Sequence, residues 1–119
     1  MSRHEFHERM LKPQKMKELE LKFTGKGEVK DFNFTQLRKS DKAYLYVVES
    51  EGSIHYEVFS KKTDFLYDFE NKQRLSDKYV RYPKSYDFGI WAWTFMDLNK
   101  SLDKYHEINN KVKKVKNPL

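Results

Sequence analysis

Few side chains in this sequence can do chemistry, and the histidines come first. His4 and His7 sit three residues apart with Glu5 and Glu8 beside them. On a helix this spacing puts both imidazoles on one face. His-Glu-x-His is nevertheless one residue short of the zincin pattern, and no third ligand is evident, so an exposed polar terminus is the commoner explanation. His55 and Glu57 are two apart and share a face in any strand, which would allow an imidazole–carboxylate pair for acid–base work. A half-exposed polar pair is the plainer alternative. His106 falls beside the apolar stripe of a helix and reads as a boundary residue.

Other catalytic equipment is missing. Gly25-Lys26-Gly27 has neither the length nor the trailing Lys-Ser/Thr of a phosphate loop, and neither G-x-G-x-x-G nor G-x-S-x-G occurs. The absence of cysteine removes disulfide frameworks, thiolate zinc sites, iron–sulfur clusters and thiol nucleophiles together. The reading is a non-enzyme that needs no metal and no cofactor.

The 119 residues amount to one domain on the usual size prior, with 38% hydrophobic, 35% charged and 16% aromatic side chains. Charge is uneven along them. Residues 1–17 carry +3, residues 18–110 carry −1 and residues 111–119 carry +4, within a total of +6. This divides the chain into a basic arm or short helix (1–17), a single α+β domain (18–110) and a basic tail (111–119). No run of 18 apolar residues occurs and residues 1–17 lack the apolar core of a secretory signal, which points to a cytoplasmic protein without a membrane partner.

Periodicity supplies the elements. Residues 1–11 suit a short helix through Phe6, Met10 and Leu11, ended by Pro13. Leu19, Leu21 and Phe23 alternate as a strand before the Gly25-Lys26-Gly27 turn, and residues 28–37, with Phe32 and Phe34, read as a second. Residues 43–60 have the strongest local signal, two β-branched and aromatic runs about Glu51-Gly52 that form a hairpin. A three-residue loop, Ser50-Glu51-Gly52, places only glycine at positive φ. Its register puts Tyr44, Tyr46, Val48, Ile54, Tyr56 and Val58 on one face. Residues 64–70 and 79–82 are further strands, with a charged loop at 71–78.

Thr94 and Asp97 resemble a capping box. From there Phe95, Leu98, Leu102, Tyr105, Ile108 and Val112 make a helical stripe expected to cover the tyrosine face of the hairpin. The predicted architecture is an antiparallel meander of four to six strands, with a C-terminal amphipathic helix on one face and a short N-terminal helix.

Contact residues follow from this layout. The segment YPKSYDFGIWAWTF crowds Tyr82, Tyr86, Phe88, Trp91, Trp93 and Phe95 together. These rings either plug one end of the sheet or anchor a partner protein, since Trp and Tyr dominate interface hot spots. Tyr86, Trp91 and Trp93 are the candidate anchors. Nucleic-acid binding is the alternative, with Lys111, Lys113, Lys114 and Lys116 as phosphate contacts and tyrosines of the sheet as stacking surfaces.

The runs GKGEVKDFNFTQL, AYLYVVES, HYEVFSKK and YPKSYDFGIWAWTF resemble small accessory proteins carried by bacteriophages and mobile elements. The resemblance covers roughly residues 19–110 and carries over no catalytic or binding residue. It implies a protein that acts in the host cytoplasm by stoichiometric contact, inhibition of a host system being one form of it.

Overall fold

The computed structural model describes residues 16–111. The N-terminal helix expected over 1–11, the His4/His7 pair and the tail lysines Lys113, Lys114 and Lys116 lie outside the described residues. Eight strands and one α-helix are present among those described, arranged as two sheets, so the α+β class holds with more strands than the four to six expected. They fall into two compact units, 16–19 with 63–81 and 20–62 with 82–111. The 18–110 stretch therefore contains two contact-dense parts.

The smaller unit is a three-stranded sheet in the order β1-β7-β6. β6 (Thr63–Asp68) and β7 (Gln73–Val80) form a hairpin, and β1 (Met16–Lys17) runs parallel to β7. The hairpin turn is built by Asp68, whose carboxylate accepts the backbone N–H groups of Glu70 at 3.0 Å and Asn71 at 3.2 Å. Those bonds, above all the one from the Asn71 side chain, hold the exposed Asp68 carboxyl below its ordinary value. Of the charged stretch expected as a loop, 71–72 lie in the turn and 73–78 belong to β7. Its residues are largely exposed, so ladder hydrogen bonds rather than apolar alternation keep it extended. Arg74 and Lys78 stand over the Phe65 ring at 4.7 and 4.9 Å and cover it on this sheet.

The larger unit is a five-stranded antiparallel sheet in the order β2-β3-β4-β5-β8. Its strands are β2 (Lys22–Thr24), β3 (Asn33–Lys39), β4 (Ala43–Ser50), β5 (Ser53–Ser60) and β8 (Ala92–Phe95). The β4–β5 turn has two residues, not three: Ser50 pairs with Ser53, and Glu51 and Gly52 take φ of 45° and 81°. Two positive φ values in succession match the twist of the flanking strands. Eight paired positions per strand outweigh the roughly 1–2 kcal/mol that a left-handed glutamate costs.

This one-residue change of register exchanges the faces of β5 relative to β4. Tyr44, Tyr46 and Val48 now share a face with His55, Glu57 and Phe59, while Ala43, Leu45 and Val47 share the other with Ile54, Tyr56 and Val58. Helix α1 (Leu98–Asn110) consequently packs on the second face, not on the tyrosines. Tyr105 and Ile108 meet Ala43, Leu45 and Val58, with Leu37, Trp93, Phe95 and Leu102 at the margins. Thr94 lies within β8 and does not cap this helix. Asp97 does, accepting the Asn99 N–H at 2.8 Å.

The tyrosine face is covered instead by aromatic rings. Phe23 stacks on Phe34 at 4.6 Å, and Tyr82 sets its edge against Phe34 at 5.2 Å and Phe59 at 5.6 Å. Tyr46 donates its hydroxyl to the Glu20 carbonyl at 2.6 Å and accepts from Gln36 at 2.9 Å, so the buried phenol is satisfied. No helix among the described residues is long and apolar enough to cross a membrane.

Candidate functional site: a carboxylate network in an aromatic-walled cleft

The register that turns the tyrosines from the helix also turns His55 and Glu57 toward the aromatic layer. Both point to one face because β5 alternates, and their side chains meet at 3.1 Å between His55 Nε2 and a Glu57 carboxylate oxygen. The other carboxylate oxygen accepts the hydroxyl of Tyr82. Glu57 is only 4% exposed, and both its oxygens are engaged inside the larger unit. Phe32 sets its edge toward the His55 ring at 6.3 Å, and Thr94 faces Glu57 across the β5–β8 ladder.

Burial raises the Glu57 carboxyl above its ordinary value, and the hydrogen bonds from Tyr82 and His55 pull it partway back. Burial also pushes the Tyr82 phenol well up, reinforced by the carboxylate it faces. Tyr82 therefore stays a hydroxyl donor throughout the ordinary pH range.

Glu57, Tyr82 and Thr94 form part of the lining of a half-open cleft of about 620 Å³. One wall is the 3₁₀ turn Gly27–Val29, preceded by Lys26. Gly25 fixes this wall by close approach: a Cβ there would lie 2.2 Å from the Val29 carbonyl oxygen. The other wall is made by Tyr82, Pro83, Lys84, Ser85 and Phe88, and Asp87, outside the lining, ties the second 3₁₀ turn (Ser85–Asp87) by accepting the Lys84 N–H at 2.9 Å. Gly89, at φ 94°, then returns the chain to β8 through a 2.6 Å bond to the Ala92 carbonyl.

The structure unites the His55–Glu57 pair and adds Tyr82, which sequence reasoning did not connect to it. Tyr82 lies 25 residues downstream in an extended segment, and no spacing rule joins it to β5. The three candidate anchors separate. Tyr86 is exposed beside the cleft without lining it, with Lys84 Nζ 5.9 Å from its ring. Trp91 is 9% exposed, and Trp93 is half-buried against the helix with Lys104 Nζ 4.0 Å above it. The β5–β8 register turns Trp93 to the helix face, where it packs at the margin of the core. Lys111 is exposed and its carbonyl accepts from Lys42 at 3.4 Å. His106 is exposed beside Tyr105, and no group of three metal-ligating side chains occurs among the described residues.

Comparison with protein-family models, curated proteins and solved structures finds no match. The site is read from its own geometry.

Proposed function

We propose that this chain is a non-enzymatic interaction protein, encoded on a phage or mobile element, that acts by stoichiometric contact with a protein partner. The observation that carries the reading is the exposure of three large side chains within residues 84–98. In a segment whose other large rings are turned inward, Tyr86 is 67%, Ile90 73% and Met96 74% exposed. Large apolar side chains exposed close together on a structured segment mark interaction surfaces. Tyrosine in particular offers a large contact area at low entropic cost. Tyr86 replaces Trp91 and Trp93 as the anchor, because a ring engaged in the core cannot also contact a partner.

The non-enzymatic part rests on Glu57. Both oxygens of the most buried acid in the cleft are occupied by Tyr82 and His55, an arrangement that holds the carboxylate still. The test is site-specific photocrosslinking in cells that carry the gene. A benzophenone amino acid at position 86 should capture one discrete partner, and the same group at exposed Asp103 should not. Tyr86→Ala should then abolish co-purification of that partner with an unchanged thermal melt. Equal crosslinking from both positions, or retained binding by Tyr86→Ala, overturns the reading.

A further inference from the structure

The cleft beside Tyr86 has a polarity that a surface contact does not use. Its volume of about 620 Å³ falls in the range that encloses small organic molecules. Its buried acid, Glu57, accepts one donor on each oxygen, and a carboxylate offers about four lone-pair positions, so each oxygen has capacity for a second donor. Thr94 adds a hydroxyl, and Val29, Pro83 and Phe88 give the cleft apolar walls.

Two cations, Lys26 and Lys84, also line the cleft. The lining thus combines one buried acid, Glu57, with two exposed lysines, and exposed Glu28 offsets only one of their two positive charges.

This mixture of charges discriminates between ligands. A simple anion drawn to the lysines would meet the buried carboxylate as it entered, and like charges at short range repel. A simple cation drawn to Glu57 would have to pass two ammonium groups. An uncharged apolar molecule would strip water from all three charges without replacing it. A molecule with charge of each sign at its two ends meets none of these penalties.

We propose that the cleft binds a small zwitterion, its ammonium or other N–H-bearing head hydrogen-bonded to Glu57 and its carboxylate or phosphate end held by Lys26 and Lys84. Tyr86 is not part of the lining, although Lys84 Nζ lies 5.9 Å from its ring.

The full chain, ¹⁵N-labelled, is titrated with γ-aminobutyrate and with phosphoethanolamine, which separate a carboxylate from a phosphate terminus. Butyrate and ethanolamine serve as single-charge controls. At least one zwitterion should give saturable amide shifts at Val29, Ser85 and Thr94 below about 10 mM, with both controls at least about tenfold weaker. Lys84→Met and Glu57→Gln should each weaken binding by about tenfold or more, whereas Lys104→Met, outside the cleft, leaves it unchanged. If Glu57→Gln fails to fold, Thr94→Val takes its place with the same expected direction. Absence of saturable shifts with both zwitterions, equal binding of a single-charge control, or shifts confined to residues outside the cleft overturns the proposal.

Discussion

Replacing Tyr82 by phenylalanine deletes one hydroxyl and leaves the ring against Phe34 and Phe59 in place. What is lost is the donor to Glu57, an acid 4% exposed whose other side-chain partner among the described residues is His55. The loss depends on the charge of that acid. Burial raises the Glu57 carboxyl and the two hydrogen bonds lower it. A group whose folded value exceeds its unfolded one binds its proton more tightly in the native state. Its contribution is therefore full below the unfolded value and declines as pH rises through the window up to the folded one.

Removing the Tyr82 donor lifts the folded value further and extends that decline to higher pH. Near pH 4 the variant should lose one neutral hydrogen bond, about 1 kcal/mol, and near pH 8 a charge-assisted one, about 1.5–3 kcal/mol. At roughly 4 °C per kcal/mol for a chain of this size, the melting temperature should fall by about 4 °C in acid and about 6–12 °C in mild base. Circular-dichroism melts of both proteins across pH measure this. A destabilisation that is equal at both ends, or greater in acid, would refute the assignment of Tyr82 as the donor that steadies Glu57.

Two further substitutions test the fold that positions this network. Glu51→Asn should raise stability by about 0.5–1 kcal/mol in urea titrations, because asparagine tolerates positive φ far better than glutamate; a loss of stability would contradict the two-residue turn. Ile108→Ala should cost about 2–5 kcal/mol, since that side chain meets Leu45 and Val58, and a cost below about 1 kcal/mol would mean that the helix does not pack there.

The elements were largely legible and their facing was not. Alternation located β4 and β5, and the period of 3.6 found the helix that carries Tyr105 and Ile108. What misled was a local preference, the reluctance of Glu51 to take positive φ. Sequence registers that preference at a single residue, whereas the twist of two eight-residue strands decides it. One residue of slip moved Tyr44, Tyr46 and Val48 from the expected side of the helix to the side of Glu57. The His55–Glu57 pairing survived the slip because both sit on one strand. Tyr82 had no such protection, being brought in by a long connection. Only the end of β7, at 79–80, was legible as strand; its largely exposed start, 73–76, offers no apolar alternation.

β4 has strands on both edges, the helix on one face and stacked rings on the other. Its amides can meet solvent only when the whole unit opens, so their deuterium uptake should report global unfolding, while those of outlying β2 and β8 exchange through smaller openings. The same enclosure makes Ala43, Leu45 and Val58 the least replaceable positions of the unit, and leaves Tyr86, Ile90 and Met96 free to diverge as contacts change.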